Sequence, residues 1–307
     1  MIYTDYSNNK EINLQKTEKV FKNIGLYLFL GIMALVVLIP FYWMLNVSFQ
    51  SVTETINDIN ANLWPRIFSP QNYVSVFTRN FDSAAGIAFP RYLLNTLIVG
   101  VFSTLGGTIF SILVGFALAR LNFRGREIIF MLLLATMMIP GEMMVISNYI
   151  TVARLGWVRV DGIESYYAMI VPFLVSIFHI YLLRQNFKQI PNELYYAAKV
   201  DGCGDFKYLL RVMIPMAKSS IITIVILKLM GTWNAYIWPD IVAHKKFQLV
   251  TAWLRSGFPD PSVGTGGIPL VNYQMAATVI VTLPLLLVFI FFRKFIMSGV
   301  SRSGTKG

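Results

Sequence analysis

Two ionisable residues, Glu142 and Lys228, lie inside long apolar stretches of the sequence. A charged group within a membrane is costly, so such residues usually face protein or water and often mark a solute pathway. Trp233 and Asn234 follow Lys228 by one to two helical turns. An indole face beside amide and ammonium donors would suit a polyhydroxylated ring. Two structural roles are the alternatives: Glu142 could satisfy backbone groups freed by the Pro140-Gly141 break, and Lys228 could pair with an acid of a partner helix.

The sequence has no pattern for a nucleotide or a metal ion. The Walker A motif, G-x-x-x-x-G-K-[ST], is absent, and the terminal G-T-K-G has neither its spacing nor a preceding strand. His179 has no Cys or second His near it, and the single cysteine, Cys203, excludes an internal disulfide. We therefore predict that the chain is not an enzyme and binds no cofactor or metal itself.

The composition indicates a membrane protein. Of 307 residues, 56% are hydrophobic and only 13% are charged, which is more apolar surface than a soluble domain buries. The net charge of +11 is spread over short segments between apolar runs, so it argues for membrane topology and against nucleic-acid binding. The first run is too long for the core of a signal peptide.

Six apolar runs are long enough to be transmembrane helices, because about 20 residues cross the ~30 Å hydrocarbon core. The second run is rich in Gly and Ser, which predicts an interior position in a helix bundle. The third is interrupted at Pro140-Gly141. The predicted spans are residues 24–47, 92–118, 128–150, 166–183, 220–238 and 276–292.

Lysine and arginine are unequally divided between the two sides of these spans. Seventeen lie on the side of the N-terminal tail, the turn after the second span, the segment 184–219 and the C-terminal tail, and eight lie on the other side. Cytoplasmic loops carry such an excess. We therefore predict that both termini and the segment 184–219 are cytoplasmic, while the loops 48–92 and 239–273 face outward.

The segment 184–219 has the pattern of two short helices joined by a tight turn. Asn192 and Glu193 can begin the first helix, since an Asn caps free N–H groups and an acid suits the positive end of a helix. Asp201-Gly202 ends it, because Gly accepts a positive φ. Asp205 can cap the second helix. We expect a compact structure at the membrane surface.

This segment resembles the coupling loop of ATP-binding-cassette (ABC) importer permeases, whose EAA motif reads roughly E-A-A-x-x-D-G with a proline about a dozen residues later. Tyr196 stands where the motif has its glutamate, and Glu193 is the nearest acid. The resemblance implies that the first helix docks in a groove of an ATPase subunit; a helical loop lying on the lipid surface is the alternative. The predicted coupling residues are Glu193, Tyr196, Ala197, Ala198, Asp201, Gly202, Phe206 and Pro215.

Further stretches carry the resemblance from about residue 25 to the end, and they are similar to the carbohydrate branch of the family, the maltose-type permease with the shorter N-terminus. They are Asn95-Thr96, 115–127, 137–142, 182–191 and 233–239. The resemblance implies an all-α fold with six transmembrane helices, the type I importer permease fold, and a cytoplasmic coupling helix. The expected parts are a tail (1–23), a first span with its external loop (24–90), a permease core (91–298) with the coupling loop 188–218, and a C-terminal tail (299–307).

The resemblance implies that the chain is the permease subunit of an importer that carries a sugar into a bacterial cell across the plasma or inner membrane. Its expected partners are the lipid bilayer, a second homologous permease, two ATPase subunits that bind ATP and Mg, and an extracytoplasmic solute-binding protein. The tail 299–307 either reaches between the ATPases or is disordered. The alternatives are a permease for another small polar solute of the glycerol-phosphate type, an ion-coupled secondary carrier, and a subunit that anchors without transporting.

Overall fold

The computed structural model of the chain describes residues 2–57, 62–79, 87–255, 258 and 270–301, and only the backbone for 2–18, 21 and 296–301. Within these residues the secondary structure is helical, with short 3₁₀ and π-helical turns and no strand. The all-α prediction is confirmed. Residues 302–307 of the predicted C-terminal tail lie outside the described residues.

The chain divides into two units, the first formed by residues 1–73 and 271–279 and the second by residues 74–270 and 280–307. The first unit begins with helix α1 (Ile2–Ser48), followed by α2 (Val52–Asn57). The predicted tail 1–23 is not separated from the first span, because residues 2–23 contain no Gly or Pro and the helix continues through them.

The end of α1 is held by a buried asparagine. Asn72 donates from Nδ2 to the carbonyl oxygens of Ser48 and Gln50, at 2.8 Å each. Asn272 donates to Asn72 Oδ1 at 3.2 Å. The last carbonyls of a helix have no partner within it, so these side chains replace the water that would otherwise be needed.

The second unit is organised around the helix Phe89–Arg120, which packs along much of its length against the helices Ile177–Gln189 and Lys218–Trp233. After α3 (Gln71–Thr78), the helices of the chain are α4 (Phe89–Arg120), α5 (Arg126–Thr136), α6 (Met144–Arg154), α7 (Glu164–Ile170), α8 (Ile177–Gln189), α9 (Asn192–Val200), α10 (Asp205–Tyr208), α11 (Ile214–Met216), α12 (Lys218–Trp233), α13 (Ile237–Val242), α14 (Val250–Arg255) and α15 (Val271–Ser301).

Small residues in α4 allow this close packing. A Cβ atom at Gly115 would lie 3.1 Å from the Cβ of Leu183 and 3.4 Å from the backbone nitrogen of Arg184 in α8. Ser103 and Ser111 are also buried. The interior position predicted for the Gly- and Ser-rich second span is confirmed.

Three helices are long and apolar enough to cross a membrane: Lys22–Ser48 within α1, all of α4, and Val271–Phe295 within α15. Three further pairs of helices pass the same test together but are bent, so the described chain has between three and six membrane spans. The pairs are Arg126–Thr136 with Gly141–Arg154, bent by 85°, Glu164–Phe173 with Ile177–Gln189, by 46°, and Asp205–Met216 with Lys218–Trp233, by 82°.

A proline lies at or just before the break in all three pairs, and in the 46° pair it is Pro172, within the 3₁₀ turn Val171–Phe173. Pro140 immediately precedes the 3₁₀ turn Gly141–Met143, and its ring prevents α5 from continuing. Pro215 lies in α11, two residues before the 82° break at Ala217. The predicted break of the third span is confirmed. The predicted fifth span, 220–238, is shorter in the structure because α12 ends at Trp233.

Candidate functional site

The segment between α8 and α12 forms the predicted pair of short helices. Helix α9 ends in a Schellman arrangement: the backbone N–H of Cys203 donates to the Ala198 carbonyl at 2.8 Å, and that of Gly202 to the Lys199 carbonyl at 3.0 Å. Gly202 has a φ of +72°, which a residue with a Cβ adopts only with strain. The turn therefore depends on glycine, as predicted.

The predicted helix caps are wrong. Pro191 precedes α9 and Gly204 precedes α10, and neither helix has a side-chain cap. Asn192 is the first residue of α9, and its Oδ1 accepts a hydrogen bond from Arg120. Asp205 is likewise the first residue of α10. Both side chains point away from their own helix ends because they have partners elsewhere.

The Asp205 carboxylate joins α9 to α10. Its Oδ1 accepts hydrogen bonds from the Tyr195 hydroxyl and from Lys199 Nζ, at 2.7 Å each. The bond to Asp205 raises the pKa of Lys199. Burial, together with the same carboxylate, raises the pKa of the Tyr195 hydroxyl. The two helices are thus linked by charge as well as by the Gly202 turn.

Arg120, at the end of α4, holds the start of this segment. Its guanidinium donates to the carbonyl oxygen of Phe187 at 2.6 Å and also to that of Ile190, beside its bond to Asn192. Arg120 is 9% exposed. Carbonyls at the end of α8 are thereby bound by a residue of α4, and the same guanidinium connects the start of α9 to α4.

Arg184, on α8, makes a second connection. Its side chain is 3% exposed and donates from Nε to the Leu118 carbonyl at 3.2 Å. Nη2 binds both carboxylate oxygens of Glu127, at 2.8 and 2.6 Å, and the guanidinium lies 3.6 Å from the centre of the Phe130 ring. Helices α4, α5 and α8 are therefore held together at this point.

Sequence reasoning counted both arginines only as markers of the cytoplasmic side. Both arginines lie in stretches that resemble the permease family, 115–127 and 182–191. This resemblance is the sequence signal that indicates a structural role for them beyond their charge. The apolar core beneath them includes Phe116, Phe187, Tyr208 and Met213, all buried. This core fixes α10 and the π-helical turn after it onto α4 and α8.

Helices α9 and α10 expose several apolar side chains. We call the exposed residues Leu194, Tyr196, Ala197, Val200 and Phe206 the α9–α10 face. Tyr196, Val200 and Phe206 are 63%, 88% and 65% exposed.

The other predicted coupling residues are placed differently. Glu193, Asp201 and Gly202 are exposed beside this face. Ala198 is half-buried and packs against the core beneath, and Pro215 is exposed in the separate helix α11.

A cavity of about 670 Å³ lies between α4, the turn joining α7 to α8, and the α12–α13 region. Lys228 and Asn234, two of the residues predicted for the solute pathway, line it. Lys228 is 9% exposed and donates to the Phe173 carbonyl at 3.4 Å. Asn234 donates from Nδ2 to the Met230 carbonyl at 2.9 Å.

The other two predicted pathway residues lie elsewhere. The Trp233 indole is 4% exposed and donates to the Val281 carbonyl at 3.2 Å, so it faces α15 and not the cavity. Glu142 is exposed in the turn at the 85° bend and is not among the residues of the cavity wall. Tyr236 and Trp238 supply the aromatic surface of the cavity instead; both belong to the stretch 233–239 that carried the resemblance.

The opposite end of α4 is held by Asn95, which is fully buried. Its Nδ2 donates to the carbonyls of Lys246 and Gln248, at 2.9 and 3.1 Å, and its Oδ1 accepts from the Tyr166 hydroxyl at 2.7 Å. The neighbouring Thr96 Oγ1 accepts from the backbone of Val250 at 2.9 Å. The predicted loop 239–273 is thus partly structured and attached to α4.

No group of three metal-ligating side chains occurs within the part of the chain that the structure describes. A cavity lined by cations and aromatic rings suits binding of a polar solute, and the exposed helix pair α9–α10 suits binding of a partner protein.

Comparison with known proteins points the same way. Residues 107–302 match the family described as binding-protein-dependent transport system inner membrane component. The arabinooligosaccharides transport system permease protein AraQ of Bacillus subtilis (strain 168) is 31% identical over 92% of this chain and 96% of its own length. The sn-glycerol-3-phosphate transport system permease protein UgpE of Brucella abortus (strain 2308) is 26% identical over 90% and 94%.

The polygalacturonan/rhamnogalacturonan transport system permease protein YtcP of Bacillus subtilis (strain 168) is 28% identical over 92% of this chain and 97% of its own. Among solved structures, a chain of a bacterial ABC transporter involved in the import of the acidic polysaccharide alginate matches with a TM-score of 0.76 at 22% identity, covering 91% of this chain and 97% of that chain. A chain of the alginate transporter in complex with alginate pentasaccharide-bound periplasmic protein matches with a TM-score of 0.60 at 14% identity, covering 94% and 98%. These structures share the type I importer permease fold with this chain.

Proposed function

Because this chain belongs to the family of binding-protein-dependent transport system inner membrane components, we propose that it is the permease subunit of an ABC importer that carries a saccharide across the cell membrane. The chain is a multi-pass membrane protein without an enzymatic function of its own. The relatives AraQ and YtcP are named for saccharide transport. This supports a carbohydrate as the substrate class.

The observation that carries the proposal is the rigid attachment of the α9–α10 face. An exposed apolar surface of this kind suits docking in a groove of a partner protein. Buried Arg120 connects the start of α9 to α4, and the Asp205 carboxylate connects α9 to α10. We propose that ATPase subunits press on this face and that α4, which borders the cavity, moves with it.

The contact with the ATPase is mainly apolar in this proposal. Tyr196 stands at the position of the motif glutamate, and its ring is exposed one helical turn from Val200. The turn at Asp201 and Gly202 positions α9 for contact with the ATPase subunit, and the small side chain of Ala197 permits close approach of the two proteins. Phe206 belongs to the contact and Glu193 borders it. Ala198 packs against the core beneath, and Pro215 lies outside the contact, in α11.

The proposed assembly contains a second homologous permease, two ATPase subunits that bind ATP and Mg, and an extracytoplasmic solute-binding protein. Both termini and the coupling loop 188–218 are cytoplasmic in this arrangement. The permease core extends over residues 91–298, after the N-terminal tail 1–23 and the first span with its loop, 24–90. The tail 299–307 follows on the cytoplasmic side.

A second candidate substrate class is a glycerol-phosphate type solute. The relative UgpE is named for sn-glycerol-3-phosphate transport, and Lys228 would offer a cation to a phosphate. Uptake assays with the reconstituted assembly separate the two classes.

The test of coupling uses Gly202→Val. A β-branched residue at a φ of +72° costs about 1–3 kcal/mol of strain and should displace α9. We expect Gly202→Val to insert normally into the membrane. ATP hydrolysis should no longer drive uptake, so ATP-dependent transport in vesicles should fall about tenfold or more.

Gly204→Val is the matched control. Its φ is −68° and nothing lies within 4 Å of a Cβ built there, so we expect uptake close to that of the original chain. Normal uptake by Gly202→Val, or equal losses in both variants, would count against the docking role of α9.

A further inference from the structure

We propose that the cavity beside Lys228 binds the anionic group of its solute, so that the preferred substrate is an acidic saccharide carrying carboxylates. The inference rests on the proposed function only in requiring that this cavity lies on the solute path. It adds the charge of the substrate, which the family alone does not specify.

The fixed charges of the cavity wall are all positive. Lys228 and Arg255 line it, and the described wall residues include neither Asp nor Glu. Within the described residues, neither cation belongs to an ion pair. The Arg255 guanidinium lies 4.2 Å from the centre of the Tyr236 ring, and no carboxylate of the described residues pairs with it. The wall therefore offers two cations to whatever fills the cavity.

The position of Lys228 is created by the packing around it. A Cβ atom at Gly107 of α4 would collide with Cε and Nζ of Lys228 and would lie 2.9 Å from the Leu174 carbonyl oxygen. Only a glycine leaves room for the ammonium group there. Lys228 is 9% exposed, and among the described residues its ammonium, with three donors, has one acceptor, the Phe173 carbonyl at 3.4 Å. A buried cation with so little compensation is costly unless an anion joins it.

Other polar atoms of the wall also lack partners. Ser103 Oγ and His179 Nδ1 are buried and make no hydrogen bond in the described structure. Both residues line the cavity. Buried polar atoms nearly always have a partner, so these two indicate a polar ligand with hydroxyl groups.

The chemistry of the wall thus matches an acidic sugar in each of its parts. A carboxylate would meet Lys228 and Arg255 through charge-assisted hydrogen bonds. Sugar hydroxyls would meet Ser103 and His179, and the apolar face of the ring would lie against Tyr236. A neutral sugar would satisfy the hydroxyl partners but would leave the buried ammonium uncompensated.

The test measures direct binding to the complete permease–ATPase assembly in lipid nanodiscs, without the solute-binding protein. The probes are trigalacturonate and its carboxyl-reduced form, which is neutral and of similar size. We expect trigalacturonate to bind about tenfold more tightly or better, as a charge-assisted bond at a buried site permits, and its affinity to fall with rising salt.

Lys228→Met should remove most of the preference for trigalacturonate and leave only the smaller part due to Arg255, whereas Lys228→Arg, which keeps the charge, should retain the larger preference. Lys245→Met is the matched control, because Lys245 is exposed and lies outside the cavity wall. If Lys228→Met does not assemble, Arg255→Gln provides the second measurement, with an expected loss of about threefold or more for the acid alone.

Equal binding of the two probes would overturn the inference, as would equal losses of both in Lys228→Met. Binding of neither probe by an assembly that still couples ATP hydrolysis to uptake would also overturn it while leaving the proposed function intact. If the Lys228→Met assembly loses the second permease but keeps the full preference for trigalacturonate over the neutral probe, the inference is overturned. Lys228 would then pair with a helix of the partner permease instead of binding the solute. Loss of transport in Gly202→Val tests the proposed function separately.

Discussion

At the scale of single residues, Arg120 and Arg184 act at one end of α4 as connectors between helices. Each guanidinium reaches carbonyl oxygens on another helix or at its end, and each is almost fully buried. An arginine suits this role because its planar group carries five donors and remains charged. The positive charge of Arg120 and Arg184 also contributes to the excess that predicts the cytoplasmic side, and this is consistent with their role as connectors.

Arg184→Met should lower the stability of the purified chain. The substitution leaves the buried Leu118 carbonyl without its side-chain donor, which costs about 1–3 kcal/mol. It also removes one of the three cationic partners of Glu127, the other two being Arg126 and Lys188. The measurement is the thermal unfolding midpoint in detergent.

Lys188→Met serves as the control for Arg184→Met, because Lys188 Nζ lies 3.6 Å from the same Glu127 but is 40% exposed. Exposed ion pairs contribute little, so its midpoint should stay near that of the original chain. If Lys188→Met lowers the unfolding midpoint as much as Arg184→Met does, the stability depends on the ion pairs of Glu127 and not on the buried hydrogen bonds of Arg184.

At the scale of elements, two kinds of connection hold the second unit. Close packing at Gly115 brings α4 against α8. Polar side chains then attach shorter segments to the ends of α4: Asn95 holds the segment around Lys246, and Arg120 holds the start of α9. The short helices have few residues to bury, so hydrogen bonds to a long helix fix their positions.

The connection between α6 and α7 is joined to the segment after α13 by an ion pair. Lys246 Nζ donates to the Asp161 carboxylate, with His244 nearby. The bond to Lys246 lowers the pKa of Asp161. A lowered pKa means that the pair contributes stability above the ordinary pKa of an aspartate and loses it as the pH falls through the lowered value.

Asp161→Asn should therefore reduce the acid sensitivity of this segment. We expect the original chain and Asp161→Asn to differ in unfolding midpoint at neutral pH and to converge as the pH falls through the lowered pKa of Asp161, where the carboxylate becomes protonated. Lys245→Met, beside the pair but not part of it, is the control. A difference that is constant across this pH range would show that the ion pair does not control the pH dependence.

At the scale of the whole molecule, the arrangement depends on which side of the membrane each segment faces. The excess of Lys and Arg predicts that the turn after α4 and the α9–α10 face are cytoplasmic and that Lys245 is outside. Transmission from a cytoplasmic motor to a cavity in the membrane requires this orientation.

Labelling of single cysteines by a membrane-impermeant maleimide tests the orientation. In a Cys203→Ser background, Lys245→Cys should react in intact cells, and Arg124→Cys should react only after the membrane is opened. Both positions are exposed in the structure, so a lack of reaction reflects sidedness. The reverse pattern would invert the predicted topology and remove the coupling role proposed for α9.

The sequence by itself determined the features that depend on local or additive properties. Long apolar runs identify membrane helices because lipid leaves backbone groups no other partner than their own helix. Pro140 and Gly202 mark breaks because their backbone limits act wherever they stand. The stretches of family resemblance identified the class of protein, and the coupling role of the residues in 188–218 stays a prediction.

Only the tertiary structure decided which distant residues meet. Trp233 and Lys228 are five positions apart, yet Trp233 faces α15 while Lys228 enters the cavity with Arg255 and Ser103. The expected caps at Asn192 and Asp205 were wrong for a related reason: a side chain that can bond its own helix end bonds a residue elsewhere when packing brings a stronger partner near. Neighbours in space are set by helix packing and bend angles, and these arise from the sum of many contacts that no local pattern contains.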